Sequence, residues 1–271
     1  MRTIAFVTQK GGAGKSTLAS SVAVAAHAAG ERVFIIDVDP LQTLVKWASS
    51  RETSEIGVEH MPASKLDKAL AALEKKGVSL VVIDAPGHGG EETAAAMRAA
   101  DLCVIPARPN AFDLWASEKT RAQVKEEGRD YAFLLNQCPP SQQSARVELG
   151  AKALQAMGGL LAPLVSARVD YQEAARLGLG VGEYNPDGIA ATEMKELWSS
   201  IKRRLKRAGA KPSPEKASAA EKPAAAQNAA LTRKARAAAK PEAPQKPIAV
   251  ADNAAAEETK SPAKKTSRKA A

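Results

Sequence analysis

The sequence predicts an α/β fold, a mostly parallel β-sheet with helices on both faces. Three observations carry this expectation. Short apolar runs recur at residues 4–7, 33–36, 80–83, 102–105 and 133–135, with a weaker candidate at 160–165. Segments of helical length separate them, at 16–29, 63–75, 91–99, 113–127 and 145–157. Runs such as VFII and LVVI are apolar at nearly every position, the pattern of strands covered on both sides. Strand, helix, strand is the rhythm of a parallel sheet, whose ligands bind beyond the carboxyl ends of the strands.

The first strand runs into the octet KGGAGKST, residues 10–17, and a helix of small residues begins near Ser16. This context makes the octet a phosphate cradle. Gly11, Gly12 and Gly14, with Ala13 between them, let the backbone turn tightly and point successive N–H groups into one concavity, and the following helix adds the positive end of its dipole. At that spacing Lys15 reaches the β- and γ-phosphates and the Ser16 hydroxyl is placed for Mg²⁺. A second lysine, Lys10, precedes the glycines, which the usual phosphate loop does not require.

The second strand ends in Asp37-Val38-Asp39-Pro40 and the third in Asp84-Ala85-Pro86-Gly87. Acidic strand tips beside a phosphate loop can hold a hydrated Mg²⁺ and orient the water that attacks a phosphate. Asp84 is assigned to the metal and Asp39 to the water, with Asp37 as its competitor; capping of the next helix is the structural alternative for Asp39. His88, in the Gly-rich continuation of the third tip, either approaches the phosphates or is simply solvated. Trp47 and Trp115 follow the second and fourth strand loops and read as packing residues.

The segment EMKELWSSIKRRLKR, residues 193–207, places apolar residues at 194, 197, 198, 201 and 205, one face of a helix that docks on the core. Lys202, Arg203, Arg204, Lys206 and Arg207 form a cluster suited to neutralising DNA phosphates without reading bases; solubility and the helix dipole are the plainer uses of the same charges. Arg168 and Arg176 are read as exposed helix charges. Residues 1–207 constitute one domain. Residues 208–271 carry 13 Lys+Arg against 6 Asp+Glu, hence +7 of the chain's +9, with seven prolines and no aromatic residue. Such a segment cannot bury enough apolar area to offset its ordering entropy, and it is expected to be a disordered basic tail. Cys103 and Cys138 sit in or beside strand-like runs without metal-site spacing, so reduced core thiols are expected. With no apolar run of spanning length and no secretion-like start, the expected location is cytoplasmic.

Taken together, KGGAGKST, IIDVDPLQT, VVIDAPG, the Val104-Ile105-Pro106 strand end and the LLN that closes on Asn136 resemble the ParA/MinD group of deviant Walker-A ATPases, with short ParA proteins of plasmid partition and cargo positioning as the nearest match. The resemblance covers residues 1 to about 206. It implies a P-loop NTPase fold and slow hydrolysis of ATP to ADP and phosphate, with Mg²⁺. Lys10 would cross a dimer interface to the partner's phosphates, Lys15 would bind the protein's own, Ser16 would ligate Mg²⁺ and Thr17 would contact the α-phosphate. Asp39 would position water and Asp84 would hold hydrated Mg²⁺. Asn136 would bond adenine, although as a residue it is also a good turn former before Pro139-Pro140. The implied partners are a second copy when ATP is bound, non-specific DNA, and a ParB-like or cargo adaptor protein that stimulates hydrolysis, with a nucleoid-associated location. A first strand starting at residue 3 leaves no room for an N-terminal DNA-reading domain. Two alternatives carry the same motifs: a MinD-like ATPase on a membrane, which the long polar tail disfavours, and a metabolic or metallocluster-assembly enzyme. Leu41, between Pro40 and Gln42, departs from the family's usual pattern.

Overall fold

The computed structural model describes residues 1–140 and 144–209. Six parallel strands form one sheet: β1 (Arg2–Phe6), β2 (Val33–Asp37), β3 (Gly57–His60), β4 (Leu80–Asp84), β5 (Leu102–Ala107) and β6 (Tyr131–Leu135), in the order β3-β2-β4-β1-β5-β6. Nine α-helices are found among the described residues. They are α1 (Lys15–Ala28), α2 (Thr43–Ser49), α3 (Leu66–Lys75), α4 (Glu91–Ala99), α5 (Ala111–Glu126), α6 (Ala145–Ala156), α7 (Val169–Arg176), α8 (Val181–Tyr184) and α9 (Ile189–Gly209).

Strand alternation sorts the core into two layers. Ile4, Phe6, Ile35, Val82, Val104 and Leu134 face α1, α2 and α7–α9, whereas Ala5, Val7, Ile36, Ile83, Ile105 and Leu135 face α3–α6. Both faces are therefore covered, which is why the runs carry no polar position. Each fully buried Ile or Leu contributes on the order of 1.5–3 kcal/mol. Cys103 and Cys138 are buried free thiols, as expected, and burial pushes them up to about 12 and about 11.

The sheet departs from expectation at both edges. The edge strand β3 has the sequence GVEH and no apolar run, and Gly57 is needed because a Cβ there would sit 2.6 Å from the Phe34 ring. At the other edge, residues 160–165 do not form a strand. Isolated bridges flank this stretch instead, Leu160 to Phe133 and, just beyond it, Ser166 to Cys138, with Pro163 between them having no N–H to donate.

The predicted face of α9 is buried in full: Met194, Leu197, Trp198, Ile201 and Leu205 are each at most 4% exposed. The helix runs two residues past the expected boundary at 207, to Gly209. The rest of the expected tail lies outside the described residues.

Candidate nucleotide site

The sheet order puts β1 in the middle, so the loop that leaves its carboxyl end is flanked by the tips of β4, β2, β5 and β6. Gly12 and Gly14 hold φ of +77° and +89°, where a side chain is strained. At Gly14 a Cβ would also come within 2.5 Å of Asn136 Nδ2. Gly14 supplies no side-chain cap, and the first turn of α1 has no acidic residue, so its N–H groups remain open to an anion.

Lys15 lies at the mouth of this turn and is only 8% exposed. Burial lowers its pKa, against the opposing pull of the Asp84 and Asp39 carboxylates. Gly87 allows the loop after β4 to close over it, since a Cβ there would lie 3.3 Å from Gly11 Cα and 3.4 Å from Lys15 Nζ. Lys10 is half-buried and makes no hydrogen bond or ion pair among the described residues.

Asp37 and Asp84 are paired in register at the tips of β2 and β4. Their side chains do different things. Asp37 is fully buried and its carboxylate accepts from the Asp39 N–H at 3.0 Å and the Leu44 N–H at 2.9 Å, which fixes the loop and the start of α2. Asp39 is half-exposed and accepts only the adjacent Leu41 N–H, at 2.9 Å. Asp84 is fully buried, and neither of its oxygens has a hydrogen-bond partner among the described residues. Burial pushes its carboxyl up to about 7; Ser16 and Lys15 pull it down and Asp37 and Asp39 add to the rise. Ser16 acts there without completing a hydrogen bond.

An orphaned buried carboxylate beside a hydroxyl is the donor set of a hard cation and its water shell. Ser16 and Asp84 therefore fit Mg²⁺, which when bound would neutralise charge on the phosphates.

Asn136 reaches the loop rather than ending a turn: its Nδ2 donates to the Ala13 carbonyl at 2.8 Å. Three further contributors were missed in the sequence. Gln137 Nε2 donates to the Gly12 carbonyl at 3.0 Å, Arg108 Nη1 lies 3.7 Å from where a Gly12 Cβ would stand, and Gly87 packs as described. Arg108 is held by paired bonds to Asp113, at 2.9 and 3.1 Å. His88 is exposed, with its ring nitrogen near the Gly89 carbonyl. Trp47 is packed as expected, but Trp115 is not: it is 65% exposed and stacks edge-on with Phe112, itself 69% exposed.

The basic cluster of α9 divides in two. Lys202 is paired with Glu31 at 2.7 Å, and Arg204 is clamped by Asp130 at 2.7 and 3.1 Å, so both are tied to the domain. Arg203, Lys206 and Arg207 are exposed and unpaired among the described residues. Arg168 is likewise engaged, 3.0 Å from the buried Glu193. The end of α9 lies beside Arg2, Ser79 and Leu80, at the strand starts. The five residues of β1 put this end roughly 17 Å from the cradle.

A family profile described as the CobQ/CobB/MinD/ParA nucleotide binding domain matches residues 4–213. The chain belongs to this family. It is a ParA/MinD-type ATPase, and its cofactors are ATP and Mg²⁺. The chain is 34% identical over 149 residues to the Maintenance of carboxysome distribution protein A of Gloeobacter kilaueensis, covering 54% of this chain and 68% of that one. Among solved structures it is similar in fold to apo McdA of Cyanthece, with a TM-score of 0.64 and 16% identity over 76% of this chain and 99% of that one. MinD of Pyrococcus horikoshii with Mg-ADP matches with a TM-score of 0.61 and 18% identity, over 76% and 98% of the two chains.

Proposed function

We propose that this protein is a positioning ATPase whose ATP-bound form is a dimer that coats DNA non-specifically and is released when an adaptor stimulates hydrolysis. The observation that carries this reading is the two-lysine loop: Lys15 is buried in the cradle in the field of Asp84 and Asp39, while Lys10 stands at the loop's other end with no partner among the described residues. A long cation left unpaired beside a phosphate site is suited to a phosphate in a second subunit. Lys15 then binds the γ-phosphate, Ser16 and Asp84 hold Mg²⁺, Thr17 meets the α-phosphate and Asp39 orients water. Asn136 Oδ1 is left to accept from the adenine amino group while Nδ2 holds Ala13. Similarity to carboxysome distribution proteins supports a large protein assembly, rather than a plasmid, as the cargo.

The test is light scattering of Lys10→Ala with ATP and Mg²⁺. Nucleotide affinity is expected to stay near that of the unaltered protein while the ATP-dependent dimer is lost. Equal loss of affinity in dilute monomer would place Lys10 in its own site and remove the basis of the proposal.

DNA contact is assigned to Arg203, Lys206 and Arg207, with the basic tail adding affinity in every nucleotide state. A site one sheet height from the cradle cannot sense ATP by contact, so nucleotide dependence arises from joining two copies on one DNA. Reversing Arg203 and Arg207 to Glu should flatten the salt dependence by about 0.9 log units of slope per lost phosphate contact. It should also erase the ATP-versus-ADP difference in gel shifts. An unchanged slope would move the surface elsewhere. Arg204 is a poor choice for this test because its reversal would set a carboxylate against Asp130. With Met194, Leu197, Trp198, Ile201 and Leu205 buried, α9 exposes a single large apolar residue, Ile189, beside its charged side, which favours DNA over a membrane.

A further inference from the structure

A trans peptide unit points its C=O and its N–H in opposite directions. Holding the carbonyl of one residue on one side of a loop therefore aims the N–H of the next residue to the other side. In the phosphate loop the Gly12 carbonyl is held by Gln137 and the Ala13 carbonyl by Asn136. The N–H groups turned the other way belong to Ala13 and Gly14. Neither donates to any group among the described residues, and Ala13 is fully buried. A buried N–H without a partner is uncommon and awaits an acceptor.

Gln137 shows a second sign of constraint. It holds φ of +54°, one of two non-glycine residues with positive φ among those described. Such strain persists where the surroundings over-determine it. Here it turns an exposed side chain back onto a loop 125 residues earlier. Arg108, anchored on Asp113, closes the outer side at Gly12.

We infer that Gln137, together with Asn136, is a positioning residue that pre-aims the Ala13 and Gly14 amides at the nucleotide's phosphates. The pair would keep the anion nest formed before nucleotide arrives, so binding does not have to order the loop. The inference rests on residues 11–17 being the phosphate cradle.

The experiment measures Mg²⁺-dependent binding of ATP and ITP by calorimetry, and thermal melting without nucleotide, for the full chain and two variants. Gln137→Glu keeps the shape but replaces the donor by an acceptor facing a carbonyl. Gln137→Gly removes the brace while relieving the positive φ. Affinity is expected to fall about tenfold for ATP and ITP alike in both variants, with the melting temperature of Gln137→Gly unchanged or raised. Three results would overturn the inference: unchanged affinity in both variants, a loss confined to ATP, which would make Gln137 a base contact, or a loss matched by an equal fall in melting in both variants, which would make it merely structural. Lys15→Ala serves as the separate control. If that variant still binds ATP, the cradle reading fails; if it does not bind while the Gln137 variants bind normally, only the inference fails.

Discussion

Lys15→Ala is expected to weaken ATP binding severely. The ammonium is buried at the mouth of the loop, in the field of the Asp84 and Asp39 carboxylates, with the glycine at 87 packed close against it. Removing one partner of a desolvated charge pair costs about 2–5 kcal/mol, a loss of roughly 30-fold to several thousand-fold in affinity. Leaving Asp84 without its neighbouring cation also raises the cost of an ionised carboxylate in the emptied site. Calorimetry should record an ATP affinity lower by at least about 30-fold, while melting without nucleotide should show a folded domain. Retention of near-normal affinity would mean that the phosphates lie elsewhere.

The second large effect separates two aspartates that stand two residues apart. Asp39→Ala should leave the fold and ATP affinity intact and slow hydrolysis by about 10²-fold or more, because a group that positions or activates water contributes roughly that much. Among the described residues its carboxylate accepts a single hydrogen bond, from the Leu41 amide two residues on, so little structure depends on it. An ATP-bound dimer should accumulate on size exclusion. Asp37→Ala should do the opposite, lowering stability by about 1–3 kcal/mol by stranding the half-buried Asp39 amide and the buried Leu44 amide. If single-turnover assays find hydrolysis intact in Asp39→Ala but lost in a folded Asp37→Asn protein, the two roles are reversed.

The contrast between these aspartates marks how far the sequence could be read. The central strands were legible because helices cover both their faces, which leaves no polar position in LVVI or VFII. β3 was not, since an edge strand with one neighbour can be as polar as GVEH, and its Gly57 answers to a ring on β2 that no local pattern announces. The short helices α2 and α8 were passed over for a related reason: each is held by tertiary contacts, such as Trp47 Nε1 on the Leu179 carbonyl and Arg51 on Glu183, rather than by its own periodicity.

At the site, glycines and a lysine in fixed register betray a phosphate loop, because the backbone geometry demands them. Which of two nearby carboxylates is already engaged depends on hydrogen bonds that spacing does not encode. The same holds for Gln137, whose partner lies far back in the chain, and for Arg204 and Lys202, whose counter-charges come from the β6 and β2 approaches. Trp115 read as core because tryptophan usually is; instead it stands in solvent beside Phe112.

The central position of β1 also bears on how the protein is born. The loop and its strand leave the ribosome before the strands that flank them: β1 has no neighbour until residues 80–84 arrive, and its second neighbour begins at residue 102. The side chains that grip Gly12 and Ala13 come later still, at 136 and 137. At a synthesis rate of about 5–20 residues per second, the nascent chain carries an unframed phosphate loop for roughly 6–25 seconds. During that interval its glycines and lysines are a flexible segment with no grip on nucleotide. The order of translation thus keeps ATP from being captured until the sheet that must respond to it has been laid down.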